Sequence, residues 1–271
     1  VMGFTRTLID TNVGLSRLLD TALPARLRED GNKTFVREFL PRAVNPGDTV
    51  YDLGGGSRPF VTLADKQRLE LTVVGLDIDA DELAAAPAGI YDRQIAADLC
   101  TFDGPGDADV VVCQATLEHV PDTAGAIRAL ASTIKPGGRI FIFAPSRNAL
   151  FARLNRALPE GVKRRALYAL FPDKAEGHDG FKGYYDRCTP REIEQLAAAN
   201  GLVVDERRLF WISSYFMVFT PAFAAWRAWQ GIAYALLGKN AAETFIYVLR
   251  KPETTAGAVG PDTTAVHEAG S

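Results

Sequence analysis

The sequence predicts an α/β protein built on a doubly wound, mostly parallel sheet with helices on both faces. Two observations carry this prediction. From residue 49 onward, short β-branched runs alternate with helical patterns, as in folds made of strand–helix–strand units. Several runs are apolar throughout, which is typical of parallel strands buried on both faces. Seven strand candidates follow one another along the chain: TVYDL, LTVVGLDI, RQIAAD, ADVVVCQ, GRIFIFAP, GLVVDERRLFWI and ETFIYVLRK.

Helical segments precede and separate these strands. Residues 13–44 have the apolar spacing of helices and end at a Pro-Gly-Asp turn. The run TAGAIRALASTIKPGG predicts a helix that Asp122 caps and the glycines end, and TPREIEQLAAANG predicts a later one. We expect a single domain over residues 1–251, with helical cap insertions at about 146–189 and 211–240. The polar, Pro- and Gly-bearing residues 252–271 are predicted to be a disordered tail.

Composition limits the class of protein. The chain has 271 residues, 47% of them hydrophobic, and a formal net charge of −3, which gives no sign of nucleic-acid binding. Its three cysteines lack C-x-x-C spacing and the first residues do not read as a secretory signal, so we expect a reducing, cytoplasmic compartment. No set of acidic and histidine residues has metal-ligand spacing, and no metal is predicted.

A glycine-rich loop, VYDLGGGSRPF, follows the first strand. In an open α/β sheet the ligand lies beyond the carboxyl ends of the strands, which is where this loop falls. Gly54 and Gly56 would let the backbone approach a ligand closely, and Asp52 could receive a cationic group. The spacing is not the G-x-G-x-x-G of dinucleotide sites.

Polar residues also end the next three strands. Asp77, about twenty residues after the loop, is placed to accept both hydroxyls of a ribose. Asp98 ends the third strand, where an adenine amino group would be met, and Gln114 ends the fourth. Together with the glycine loop, these residues indicate a site for an adenosine-containing ligand.

The ordered series DLGGGS, GLDID, AADL, CQATLEHVPD and IKPGGRIFIFAPS resembles the class I S-adenosylmethionine-dependent methyltransferases, in particular their broad small-molecule branch. The resemblance covers residues 49–146, and the TPREIEQLAAANGL helix extends it. It implies a Rossmann-like sheet of seven strands, whose last strand runs antiparallel beside its predecessor, and S-adenosyl-L-methionine as cofactor. Arg58 departs from the family pattern, which often has a glycine there.

The resemblance also assigns cofactor contacts to individual residues. The methionine end would be surrounded by Asp52, Gly54 and Gly56 and backed by Gln114. The ribose would contact Asp77, and the adenine Ile78, Asp98 and Leu99.

Methyl transfer to a hydroxyl needs a group that takes the proton, and histidine is the usual base because its pKa is about 6.5. His119 follows the fourth strand, as a base or as a brace for its loop. His178 lies in EGHDGFKGYYDRCTP, where Tyr184 and Tyr185 could wall an acceptor pocket; the alternative is a solvated loop. We expect O-methylation of a small metabolite, a glycan or a lipid-linked intermediate. The alternatives are N- or C-methylation and a cofactor-binding, non-catalytic subunit of a biosynthetic complex.

Two further segments concern the substrate. NALFARLNRALPEGVKRRALYALF is amphipathic and basic, whereas residues 209–237 are apolar with Arg227 as their only charge. Either segment could cover the substrate, rest on the inner face of a membrane or pack against a second subunit in a homodimer. Residues 209–237 are too few to cross a bilayer twice, which the return of the chain to the sheet would require.

Overall fold

The structure is a computed structural model of the chain, and it describes residues 2–157, 182–213 and 216–253. His178, most of the first insertion and residues 254–271 of the predicted tail therefore lie outside the described residues. The single-domain boundary at residue 251 stays a prediction.

Helices form most of the chain ahead of the sheet. Helix α1 (Met2–Asp20) is followed by a 3-10 turn (Ala25–Leu27) and by α2 (Gly31–Thr34). Helix α2 continues as a π-helical turn (Phe35–Phe39) and a 3-10 turn (Leu40–Arg42). The helical pattern predicted over 13–44 is thus broken between residues 21 and 30. Asp30 starts the second piece by accepting a hydrogen bond from the Lys33 amide at 3.0 Å.

The sheet has the predicted seven strands. In chain order the elements are β1 (Thr49–Leu53), α3 (Leu63–Arg68), β2 (Thr72–Asp77), α4 (Ala80–Ala84), β3 (Arg93–Ala96), β4 (Ala108–Gln114), a 3-10 turn (Leu117–His119), α5 (Thr123–Thr133), β5 (Ile134–Pro145), α6 (Leu150–Ala157), α7 (Pro190–Ala199), β6 (Val203–Phe210), α8 (Thr220–Leu237), a 3-10 turn (Gly238–Ala241) and β7 (Thr244–Arg250). The strand order is β3-β2-β1-β4-β5-β7-β6. Strand β7 lies antiparallel between β5 and β6, and every other pairing is parallel, which confirms the predicted architecture.

Apolar layers lie on both faces of the sheet. Tyr51 and Val111 point into one hydrophobic cluster, whereas their neighbours Val50 and Val110 point into the other. Successive residues of a strand face opposite ways, so both must be apolar when both faces are covered. This burial explains the unbroken apolar runs in the sequence.

The KPGG segment differs from its prediction. Helix α5 ends at Thr133, and the chain enters β5 at Ile134, ahead of both glycines. Ile134 pairs with Ala108 but Arg139 pairs with Val110, so the intervening residues bulge from the ladder. The prediction that the glycines end the helix was therefore wrong. Asp122 occupies the N-cap position, but its side chain makes no capping hydrogen bond.

Helix α8, which lies within the second predicted insertion, packs on the N-terminal helix. The Ser16 hydroxyl donates to the Met217 carbonyl at 3.0 Å, and Arg227 on α8 forms an ion pair with Asp20 at 2.6 Å. Within the described part of the chain, no helix has the length and apolar character needed to cross a membrane.

Candidate functional site

The carboxyl ends of β1, β2 and β4 meet at one open cleft. The crossover connections bring these ends to the same edge of the sheet, where ligands of such folds bind. The residues that line the cleft are Gly54, Leu76, Asp77, Ile78, Asp98, Leu99, Ala115, Thr116, His119, Val120 and Pro121. Six of the residues predicted from the sequence are among them: Gly54, Asp77, Ile78, Asp98, Leu99 and His119.

Each glycine of the loop after β1 has its own structural reason. Gly54 has φ +83° and Gly56 has φ +48°, a region that favours glycine. A Cβ on Gly54 would lie 2.3 Å from the Thr116 side chain, so the ends of β1 and β4 are too close together for any larger residue at position 54. A Cβ on Gly55 would lie 2.3 Å from Oδ2 of Asp52. The sequence indicated Gly54 and Gly56 but not Gly55, because the clash arises from the inward turn of Asp52.

Asp52 lies beneath the loop and is not among the residues that line the cleft. It is only 2% exposed, and its Oδ2 accepts a hydrogen bond from the Phe60 amide at 3.1 Å. The Tyr91 hydroxyl lies 3.2 Å from the same oxygen. Burial raises the pKa of Asp52 to about 7, because transfer of a carboxylate from water into the interior disfavours the charged form.

Asp77 and Ile78 form the end of β2. Asp77 is buried, its Oδ1 accepts from the Asp79 amide at 3.0 Å, and burial raises its pKa above the ordinary value. The side chain of Ile78 is 64% exposed at the rim of the cleft, an unusual position for a large aliphatic group. A carboxylate beside an uncovered apolar side chain suits a ribose and the base attached to it.

Asp98 lines the cleft, whereas Gln114 does not. Asp98 lies two residues beyond β3, and its Oδ1 accepts from the Cys100 amide at 2.8 Å, which holds the turn that presents Leu99. Gln114 ends β4 and donates through Nε2 to Oδ1 of Asn32 at 3.0 Å. The pairing ties the N-terminal helical region to the strand end. Gln114, Asp52 and Gly56 do not line the cleft themselves.

Ala115 and Thr116 complete the β4 end, and the sequence prediction missed both as lining residues. Ala115 adopts φ +53°, a strained conformation for a residue with a Cβ, directly after the strand. The Thr116 hydroxyl donates to the Leu53 carbonyl at 3.2 Å, which locks β4 to the start of the glycine loop. Their position ahead of LEHV was the one signal that could have indicated them.

His119 projects from the 3-10 turn after β4. Its Nδ1 lies 3.2 Å from the Lys182 carbonyl oxygen, and since a carbonyl only accepts, Nδ1 carries the proton. In the neutral ring Nε2 is then the basic atom. Nε2 lies 3.8 Å from Oε1 of Glu118, too far for a hydrogen bond.

Glu118 is buried beside His119. Burial raises its pKa to about 8, and among the described residues its Oε2 has no hydrogen-bond partner. The Glu118 carbonyl accepts from the amides of Tyr184 (2.8 Å) and Tyr185 (3.0 Å). These bonds dock the segment that follows the first insertion onto the turn that carries His119.

The two tyrosines differ in placement. Tyr184 is 39% exposed, with the Lys182 ammonium 4.7 Å from its ring centre. Tyr185 has φ +52° and is buried against Ala149 and Ala152. The substrate roles of both, and any role of His178, stay predictions. Within the described ranges, no group of three or more His, Cys, Asp and Glu side chains is arranged to hold a metal ion.

Known proteins resemble the chain in sequence. A family model described as "Methyltransferase domain" matches residues 25–207. A ubiquinone biosynthesis O-methyltransferase from Pseudomonas paraeruginosa is 39% identical over 126 residues, which are 44% of this chain and 53% of that protein. Its counterpart from Cupriavidus pinatubonensis is 28% identical over 169 residues, 60% of this chain and 63% of that protein. The chain thus spans between half and two thirds of the length of these relatives.

Solved structures share the fold. A geranyl diphosphate C-methyltransferase from Streptomyces coelicolor A3(2) aligns with a TM-score of 0.53 at 15% identity, covering 81% of this chain and 80% of that one. An S-adenosylmethionine-dependent methyltransferase from Mesorhizobium loti aligns with a TM-score of 0.52 at 18% identity, covering 83% and 99%. Because the family model spans well over half of the chain and the fold agrees with it, this chain belongs to the class I S-adenosylmethionine-dependent methyltransferases.

Proposed function

We propose that this protein transfers the methyl group of S-adenosylmethionine to an oxygen atom of a small metabolite. The observation that carries the proposal is the presence of His119 in the wall of the cleft that Asp77 and Asp98 also line. A candidate base and the candidate cofactor contacts thus face one space. The name of the relatives attributes O-methylation to them, which supports oxygen as the accepting atom here.

The residues of the cleft fit the cofactor. Asp77 would accept the ribose hydroxyls, Ile78 and Leu99 would cover the adenine, and Asp98 would meet its edge. Gly54 would leave room for the methionine end, with Gly56 in the loop behind it. When bound, the cofactor supplies an electrophilic methyl group on a sulfonium.

His119 would remove the proton of the acceptor hydroxyl. The Lys182 carbonyl orients the ring and keeps the proton on Nδ1, so Nε2 can take the acceptor's proton as the new bond forms. The lone pair left on the oxygen then displaces the sulfonium in line, with the neutral thioether as leaving group.

Methyl transfer by the isolated protein, measured over a panel of phenols, sugars and prenylated hydroxy compounds, tests the proposal. With an accepted substrate, His119→Ala should lower kcat roughly 10²–10⁴-fold, the usual contribution of a positioned base, while S-adenosylhomocysteine still binds. His178→Ala measures the second candidate. His267→Ala, near the end of the chain, is the matched control and should leave turnover unchanged. Unchanged turnover in His119→Ala and His178→Ala would remove the histidine base, and transfer only to nitrogen or carbon acceptors would overturn O-methylation.

The outer face of α8 supports a further contact, either with a membrane surface near a lipid-linked acceptor or with a second copy of the chain. Arg227, the sole charge of this helix, is turned inward onto Asp20, so the exposed face carries no charge. Ile232 and Leu236, four residues apart, are exposed on one side of the helix, and Tyr234 is exposed on the opposite side. Gel filtration without detergent, combined with liposome flotation, distinguishes the two contacts. A monomeric protein that does not float with liposomes would contradict both contacts.

A cytoplasmic location, with or without contact to the inner membrane face, remains part of the proposal. The three cysteines are all buried and unpaired, in keeping with a reducing compartment. The same substrate panel tests whether the acceptor is a glycan or a lipid-linked intermediate.

A further inference from the structure

Tyr91, a residue outside the family motifs, lies under the cofactor loop. It precedes β3, and its ring packs over Gly75 of β2, where a Cβ would lie 2.8 Å from ring atoms. The missing side chain at Gly75 therefore makes the space that the ring fills. From there the hydroxyl reaches two groups of the loop region, Oδ2 of Asp52 and the carbonyl oxygen of Gly56, each at 3.2 Å.

The single hydroxyl proton of Tyr91 limits which hydrogen bonds this cluster can make. A phenol has one proton to donate, a carbonyl only accepts, and an ionised carboxylate also only accepts. With Asp52 ionised, Tyr91 can donate fully to one of its two neighbours. With Asp52 protonated, the carboxyl donates to the Tyr91 oxygen and Tyr91 donates to the Gly56 carbonyl, so both contacts are hydrogen bonds. Ionisation of Tyr91 does not offer a third arrangement, because burial and the nearby Asp52 raise the pKa of the phenol.

Four groups face Asp52: the Tyr91 hydroxyl, the Phe60 amide, the carboxylate of Asp77 from β2 and the thiol of Cys113 from β4. Burial has the largest effect and favours the protonated form, whereas hydrogen bonds from the Phe60 amide and the Tyr91 hydroxyl lower the pKa of Asp52 without cancelling the effect of burial. Asp77 repels a second negative charge, and no Lys or Arg acts on Asp52 among the groups that shift its pKa. Burial works in the same direction, and the pKa of Asp52 is about 7.

We propose that Tyr91 is a positioning residue for the cofactor: it holds the Gly54–Gly56 loop in its binding shape through a relay from protonated Asp52 to the Gly56 carbonyl. Loss of the Asp52 proton frees the Gly56 carbonyl, because Tyr91 then turns to the carboxylate. Cofactor affinity should consequently fall as the pH rises through neutrality. The inference concerns the cofactor site and is independent of which acceptor is methylated.

The test is calorimetric binding of S-adenosylhomocysteine between pH 5.5 and 8.5, without any turnover. For the unaltered protein we expect the dissociation constant to rise by about tenfold over this range. Tyr91→Phe keeps the ring over Gly75 and removes only the hydroxyl. It should bind about tenfold more weakly at pH 5.5 and show no comparable pH dependence.

Tyr247→Phe is the matched control. The Tyr247 hydroxyl is also buried between a carboxylate, Glu194 at 2.9 Å, and a carbonyl, Pro190 at 3.1 Å, but far along the sheet from the loop. Its loss should lower the thermal unfolding midpoint and leave S-adenosylhomocysteine affinity and its pH profile unchanged. Tyr91→Phe with unaltered affinity at pH 5.5 would overturn the proposal. So would affinity that increases with pH, which is the result expected if Asp52 meets the ligand as a carboxylate.

Discussion

Two buried tyrosines of this protein each lie between a carboxyl group and a backbone carbonyl, and the two carboxyl groups differ in ionisation. Tyr91 joins Asp52 to the Gly56 carbonyl beneath the glycine loop after β1, and Tyr247 joins Glu194 to the Pro190 carbonyl beside α7. Glu194 forms ion pairs with Arg207 at 2.8 Å and with Lys239, and these lower the pKa of Glu194. Asp52 has no such partners, and burial raises the pKa of Asp52. Charge partners, and not the tyrosine, decide which carboxyl keeps its proton.

The two tyrosines also differ in what depends on their hydrogen bonds, because only Tyr91 lies beside the proposed cofactor site. The Pro190 carbonyl lies in the first turn of α7, where helix amides supply its donor, so Tyr247 can give its proton wholly to Glu194. The Gly56 carbonyl lies in a loop, and it accepts its hydrogen bond from the Tyr91 hydroxyl. The proton on Asp52 therefore has a consequence for loop shape that the ionised Glu194 lacks.

Crowding Asp52 should have the largest effect. Gly55→Ala would place a Cβ 2.3 Å from Oδ2 of Asp52 and 2.4 Å from its Cγ, forcing the carboxyl out of the relay. We expect a loss of about 1–3 kcal/mol in the free energy of unfolding, as for other overpacked sites, and at least a tenfold weaker S-adenosylhomocysteine complex. Urea denaturation and calorimetry measure the two effects.

Gly14→Ala is the control for that substitution. Gly14 lies in α1 with nothing within 4 Å of its would-be Cβ, so alanine should leave binding unchanged and raise stability slightly. Equal losses in the two variants would mean that the Asp52 contact is not responsible.

The pH dependence of stability is the next effect. The pKa of Asp52 is raised from 3.8 to about 7 on folding, so the folded state holds its proton more tightly. The resulting stabilisation is fully present below the unfolded pKa and is lost as the pH rises through the folded pKa. Between pH 6 and pH 8 Asp52 alone should cost about 1.4 kcal/mol of unfolding free energy.

Asp52→Asn should reduce that decline, because an amide does not ionise. Glu118, with a pKa of about 8, Glu243, with a pKa of about 7, and Asp77, whose pKa is also raised by burial, shift in the same direction and contribute to what remains. Urea denaturation of the unaltered protein and of Asp52→Asn at pH 6 and pH 8 measures the two declines. Stability that increases from pH 6 to pH 8 would contradict the raised pKa of Asp52.

Glu194→Gln should act with the opposite sign. The lowered pKa of Glu194 means that its contribution is present above the unfolded pKa and is lost as the pH falls through the folded pKa. Removing the carboxylate should destabilise the protein by about 1 kcal/mol at pH 7, since its partners are partly solvated. Chemical denaturation at pH 7 and at a series of lower pH values would show the difference shrink in acid; a difference that grew in acid would refute the ionised state.

Arg58→Gly should have the smallest effect. Arg58 is exposed, and its described contact with the loop is the backbone bond from its amide to the Gly55 carbonyl at 2.9 Å. A glycine keeps that amide, so S-adenosylhomocysteine affinity should change by less than about twofold. A larger loss by calorimetry would assign the guanidinium a part in cofactor binding.

Much of the cleft could be predicted because parallel strands deliver their carboxyl ends to one edge. Asp77, Ile78, Asp98, Leu99 and His119 follow strands that the apolar runs identify, and their sharing of a cleft follows from topology. The inward turn of Asp52 could not be predicted in this way. It depends on Tyr91, 39 residues away in sequence.

The strand register at the start of β5 and the break in the N-terminal helical region could not be predicted for similar reasons. The bulge that places KPGG inside β5 depends on how Ile134 pairs with Ala108, which local propensity does not encode. The break between residues 21 and 30 is followed by an Asp30 cap that the apolar periodicity does not register. Thr116 lines the cleft because Gly54 leaves space for it, a fact visible only when both strand ends are in place.

The Asp20–Arg227 pair has a consequence for synthesis of the chain on the ribosome. Its members are separated by 207 positions, so α1 emerges long before the helix that covers it. At elongation rates of about 5–20 residues per second, the nascent chain carries α1 unpaired for roughly 10–40 s. During that interval its apolar side chains are available to chaperones, and α1 can dock in its final place only after α8 has left the exit tunnel.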